Sequence, residues 1–223
     1  QFRRWGLSEI ILSNTGDGEI SLYQSVNQGA DVPHVLIAAG FHGEEPAGCW
    51  GMLDFLREGS PELFDNVAVS FLPLVNLSGL RTGSRLNSLG QNPNRGFTKG
   101  AEVEPSIEGK VLLNYETLLK NAASHGVLCC HEDILRHKAY LYTFEHATRL
   151  GHFSVALRDE LERFFPVMEK SELMVVNVRM ALFLTISIRH LNHGCFLPVP
   201  TSQRALKRRD CNPLQNEQKQ TVI

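Results

Sequence analysis

The stretch His34 to Gly48, HVLIAAGFHGEEPAG, constrains this chain more than any other. Val35, Leu36, Ile37, Ala38 and Ala39 are apolar without polar alternation, which is the pattern of a strand buried on both faces of a sheet. Gly40 ends the run. Near Pro46 a helix begins, with Ala47, Trp50, Met52, Leu53, Phe55 and Leu56 as its apolar positions; a proline suits the first turn because its missing N–H has no helical partner there. Between strand and helix, His42 and Glu45 stand on a tight turn at the carboxyl edge of the strand, where α/β sheets place their chemistry. An imidazole and a carboxylate presented this way are two of the three protein ligands a catalytic zinc takes, the fourth position being left to water. Glu44 fits that spacing less well. The same residues fit a second reading, in which His42 caps the turn and both glutamates are solvated at a helix N-terminus that favours anions.

Further along, the apolar run from Val67 to Val75, VAVSFLPLV, reads as another strand and leads into Asn76-Leu77-Ser78-Gly79. From there to Phe97 the chain is polar and rich in Gly and Asn, with neither helical nor strand periodicity. A loop of that length inside a compact domain is usually either functional or disordered; this one carries Arg81, Arg85 and Arg95, whose forked donors suit carboxylates and oxyanions, and a solvated surface loop is the alternative reading. Lys110 to Ser124 has helical spacing. Gly126 then opens GVLCCHED, a short buried strand that ends at His131-Glu132-Asp133, so a second histidine falls at the carboxyl end of an apolar strand.

The other elements are plainer. Glu19 to Val26 reads as an edge or half-buried strand after a Gly-Asp-Gly turn, Ala139 to Glu145 as a strand, residues 149–165 as an amphipathic helix, and 174–188 as one or two strands. The expected fold is an α/β/α sandwich, with a mixed, largely parallel sheet built from strands near 34–40, 67–75 and 126–131. Helices near 46–57, 110–124 and 149–165 cover its two faces.

A chain of 223 residues can bury one sizeable core, and a formal charge of −2 gives no case for nucleic-acid or membrane binding. Five cysteines without regular spacing, two of them adjacent in a core strand, argue for a reducing, cytoplasmic setting and for small buried apolar roles. No signal-peptide pattern or membrane-length apolar run is present. Residues 1–190 are expected to form the catalytic domain. Beyond them the composition shifts: residues 179–223 hold seven Lys or Arg against two Asp or Glu, so 191–223 reads as a basic, solvated or disordered end, or as an altered end of the same domain.

Taken together, these motifs resemble the zinc carboxypeptidase superfamily, and within it the branch of succinylglutamate desuccinylase and aspartoacylase. The shared pattern is His42-Gly43-Glu44-Glu45, then Asn76-Leu77-Ser78-Gly79, then Arg85-Leu86-Asn87-Ser88-Leu89-Gly90-Gln91-Asn92-Pro93-Asn94-Arg95-Gly96-Phe97, then His131-Glu132-Asp133. The resemblance implies that His42, Glu45 and His131 are zinc ligands, that Arg85 stabilises a tetrahedral intermediate, and that Asn94 and Arg95 grip a substrate carboxylate. It implies a hydrolase that cleaves an amide bond beside a free carboxylate, with a peptide or small molecule as substrate. The alternatives are an N-acyl amino acid deacylase and a homologue that binds zinc without turnover.

Two departures stand out. Asn92 occupies a position where the family has Asp, so the outer partner of His42 is expected to be an uncharged amide oxygen, with weaker metal binding as the consequence. The family's general-base glutamate on a late strand has no counterpart after residue 145: Glu169 and Glu172 lie outside a clear strand, and Glu217 lies in the unpatterned end. The family-like fold is therefore expected to be incomplete or altered beyond about residue 170.

Overall fold

The structure is a computed structural model that describes residues 2–25, 32–97, 102–133, 138–143, 152–168 and 183–188. Seven strands form one mixed sheet in the order β1-β2-β4-β3-β5-β7-β6. They are β1 (Leu7–Thr15), β2 (Gly18–Ser25), β3 (His34–Ala38), β4 (Ala68–Leu72), β5 (Gly126–Glu132), β6 (Tyr140–Thr143) and β7 (Phe183–Ile188). The central strands β4, β3, β5 and β7 run parallel, and β1, β2 and β6 join the two margins antiparallel. The sheet is therefore mixed as expected, with its parallel part at the centre.

Strand alternation divides the core between two faces. Leu36, Ala38, Phe41, Leu72, Val127 and Cys129 pack with Leu112 and the partly buried Leu118 and Leu119. The last three belong to α3 (Ile107–Asn114) and α4 (Glu116–Ala122). On the opposite face Ala39, Val69, Phe71, Ile37 and Cys130 pack with Met52, Leu56 and Phe55 of α1 (Ala47–Glu58) and with Trp5. Helix α5 (His152–Glu162) adds Leu161 and Leu157 against Leu141 and Leu128. The result is the three-layer sandwich.

Several elements differ from the sequence expectation. Strand β1 had no counterpart there. The loop after β4 opens with a short helix, α2 (Leu77–Thr82), because Asn76 caps it by accepting from the Gly79 N–H at 2.8 Å, and Gly83, at φ 63°, ends it. The helix expected over 110–124 is two helices. Ser106 starts the first earlier by accepting from the Gly109 N–H, and at Tyr115 the backbone leaves helical geometry (φ −105°, ψ 21°) before α4 resumes.

The strand region expected over 174–188 supplies β7 over 183–188, and residues 174–182 lie outside the described residues. Strand β7 is seated between β5 and β6, pairing Cys129 with Thr185 and Tyr142 with Thr185 on its two sides. The boundary expected at residue 190, the basic segment 191–223, and Glu169, Glu172 and Glu217 lie outside the described residues. Among the described residues no helix is long and apolar enough to cross a membrane.

Candidate metal centre

Parallel pairing of β3 and β5 sets Ala38 level with Cys129, so continuing the register two residues brings His131 level with Gly40, where the β3 chain turns away. Gly40 makes that turn at φ 68°. The next residues, Phe41 to Pro46, fold over the strand ends and deliver His42 and Glu45 to the same place as His131. The turn lies close against the segment after β4: the Gly43 N–H donates to the Ser84 carbonyl at 2.9 Å, and a Cβ built on Gly43 would run into the backbone of Gly79.

The three side chains meet in the interior. His42, Glu45 and His131 are 2%, 6% and 8% exposed, and one ligand atom from each lies within 4.8 Å of the others. The two oxygens of Glu45 face one imidazole each, Oε1 lying 2.9 Å from His42 Nδ1 and Oε2 lying 2.6 Å from His131 Nδ1. Burial raises the Glu45 pKa, but hydrogen bonds from His131 and His42 and their charge outweigh it and hold the carboxyl down at about 2.

The hydrogen bonds around His42 define what this arrangement is fit to hold. The Asn92 side-chain oxygen accepts from the Asn94 backbone N–H at 2.9 Å, which fixes that atom as the oxygen of the amide. The same oxygen lies 3.2 Å from His42 Nε2, so Nε2 must carry the proton and donate. In a neutral ring Nδ1 then presents a lone pair directly to a carboxylate oxygen. Two acceptors at that distance require a cation between them, either a second proton on the ring or a metal ion. Two imidazole nitrogens and a carboxylate are donors of the borderline type that zinc takes, and three protein ligands leave the open position of a catalytic rather than a structural site.

Arg85 lies at the edge of this cluster. Its Nη1 donates to Glu45 Oε1 and to Glu44 Oε1, both at 3.0 Å, which puts a fixed positive charge beside the triad. Asn94 and Arg95 follow Asn92 on the same loop; Arg95 is exposed, and its guanidinium donates to the Asn94 carbonyl at 2.8 Å. The loop itself is anchored from below. Asn87 donates to the buried Glu108 carboxylate at 2.8 Å, Ser106 donates to the same oxygen at 2.7 Å, and Gln91 accepts from the Ile107 N–H at 3.1 Å. Phe97 closes it by packing edge-on against Phe41, whose ring in turn stacks beside His131.

Some contributors were not visible as such in the sequence. Glu132, in the middle of His131-Glu132-Asp133, accepts from the Ala47 N–H at 2.7 Å and so caps α1, which has no side-chain cap of its own at Pro46. One carboxylate thereby ties the end of β5 to the start of the helix that follows Glu45. The signal for it was the uncapped helix. Cys129 lies beneath His131 with Sγ 3.3 Å from Nε2. Cys49, Cys129 and Cys130 are free thiols; burial pushes Cys49 and Cys130 up to about 12 and Cys129 well above the usual thiol value, in keeping with the apolar role read for the core pair.

Neither the protein-family models nor the curated proteins gave a match. Among solved structures, a candidate metallopeptidase from Shewanella baltica is 38% identical, with 84% of this chain and 80% of that chain covered and a TM-score of 0.77. A metallo-carboxypeptidase from Burkholderia cenocepacia (17% identity, 82% and 56% covered, TM-score 0.64) shares the fold. So does an aspartoacylase family protein from Mesorhizobium loti (17% identity, 82% and 62% covered, TM-score 0.56). With 38% identity over most of both chains, this chain belongs to the same family as the Shewanella candidate metallopeptidase, and it has the fold shared by the metallo-carboxypeptidase and the aspartoacylase family protein.

Proposed function

We propose that this protein is a zinc-dependent hydrolase that cleaves an amide bond next to a free carboxylate, in the manner of a metallocarboxypeptidase. The observation that carries the reading is the pair of imidazole Nδ1 atoms facing the two oxygens of one buried carboxylate. His42, Glu45 and His131 would hold the ion. Zinc bound there supplies a water nucleophile near neutral pH and a Lewis acid for the scissile carbonyl.

The remaining work falls to the chain. Arg85, whose guanidinium donates to Glu44 and Glu45, would stabilise the negative charge that develops on the substrate oxygen. Asn94 and Arg95, on the loop that Asn92 ties to His42, supply an amide and a guanidinium fork for the substrate carboxylate. Asn92 and Glu132 keep the ligand-bearing turn in place from two sides. The substrate is a peptide or small molecule with a free carboxylate, and neither nucleic acid nor a membrane enters the reading. A reducing, cytoplasmic setting suits the free thiols.

The late-strand proton acceptor of the family has no counterpart in β7, whose sequence FLTISI holds no carboxylate. Where no other carboxylate of the chain takes that role, hydrolysis slows by about a hundredfold to ten-thousandfold. The test is a panel of peptides with free C-termini set against N-acetyl and N-succinyl amino acids, assayed on the zinc-loaded full chain. The proposal predicts hydrolysis of the peptides that disappears with chelator, returns with zinc, and falls about a hundredfold to a thousandfold in Arg85→Ala. Cleavage confined to the N-acyl amino acids would identify a deacylase instead. Zinc uptake without hydrolysis of either class would identify a non-catalytic zinc protein.

A further inference from the structure

In a β-strand, residues two apart point to the same face, so Cys129 and His131 of β5 stand side by side on the face that carries α3 and α4. The strand around them is fixed by neighbours on both sides, Ala38 of β3 and Thr185 of β7, each paired with Cys129. The thiol is buried at 9% exposure, and its Sγ lies 3.3 Å from His131 Nε2, while Nδ1 of the same ring points to Glu45. His42 shows the matching arrangement, with its Nε2 on the Asn92 oxygen and its Nδ1 on Glu45. Both imidazoles of the cluster are therefore held at the nitrogen that faces away from Glu45. Ligand histidines commonly depend on such a contact to fix ring orientation and tautomer.

We propose that Cys129 is a positioning residue for His131: its sulfur accepts a hydrogen bond from the protonated Nε2 and so leaves the Nδ1 lone pair to face zinc. The inference rests on the metal-site reading above and adds a role for a residue that otherwise counts as core packing. A thiol is a weak acceptor, and like the Asn92 amide it brings no negative charge. The two outer contacts together make this a site whose ligand imidazoles are oriented without being made strongly basic.

The experiment measures zinc affinity of the full chain by competition with a chromophoric chelator, for the parent, Cys129→Ser and Cys129→Ala. Thermal unfolding of the metal-free forms is followed in parallel. Cys129→Ala, which removes the acceptor, is expected to weaken zinc binding about tenfold to a hundredfold, while Cys129→Ser, which keeps one, stays within about threefold of the parent whatever either change does to unfolding. Equal affinity in parent and Cys129→Ala, or equal weakening in both variants, would overturn the role of Cys129 and leave the metal site standing. No zinc uptake by the parent would overturn both. Should either variant fail to fold, the ring nitrogen chemical shifts of His131 in the zinc-loaded parent decide the matter: Nδ1 bound and Nε2 protonated is the predicted pattern, and zinc on Nε2 contradicts it.

Discussion

At the scale of single residues, Asn92 is the position where a small change should be felt most clearly in metal binding. Its oxygen accepts from both the Asn94 N–H and His42 Nε2, and so links the loop conformation to the ring of a proposed ligand. Restoring a carboxylate would keep both contacts and add charge, making His42 a more basic donor. Asn92→Asp is therefore predicted to tighten zinc binding about tenfold in a chelator competition, the lower end of what such outer contacts are worth. Unchanged or weaker binding would show that the amide is not what limits affinity. That Asn92 would contact His42 was readable through the family resemblance, which matches Asn92 to the family's outer partner of the first zinc histidine. The partners of Glu132 and Cys129 were not, because each contact joins positions whose closeness depends on the register of β3 with β5 or on the direction of a ring.

At the scale of elements, the ligand-bearing turn works because it is pressed against the start of the long loop. Gly43 has no space for a side chain against the Gly79 backbone, and its N–H is spent on Ser84. Gly43→Ala is predicted to force the two segments apart. Metal-free protein should lose about 1–3 kcal/mol by denaturant unfolding, the range of overpacking in a filled interior, and zinc affinity should fall with it. A variant of parental stability and affinity would contradict the close approach.

Elements with a clean period were legible in the sequence: the unbroken apolar runs of β3 and β5, and the spacing of α1. Strand β1 was missed for a physical reason. Its register shifts between Ile11 and Ser13, so that Leu7 and Leu12 are both buried while Ile11 is half exposed, and the two-residue alternation is broken. Helix α2 is too short for any period to show. The interruption at Tyr115 is a backbone event between two stretches that share one apolar stripe, so both read as a single helix.

At the scale of the whole molecule, the parallel centre of the sheet is what makes a site possible. Two adjacent parallel strands end on the same edge, so ligands separated by almost ninety positions in sequence arrive within 4.8 Å. The fold class follows from that centre and was legible as a whole, whereas the antiparallel margins β1, β2 and β6 widen the sheet and supply none of the three proposed ligands. The proposed hydrolase depends on His42, Glu45 and His131 holding one ion together. The most direct measurement is zinc content after equilibrium dialysis of the full chain near neutral pH, for the parent and for His131→Ala. One zinc per chain in the parent, with the stoichiometric site lost in the variant, is the predicted result. No zinc in the parent, or one zinc retained at unchanged affinity when His131 is replaced, would contradict it.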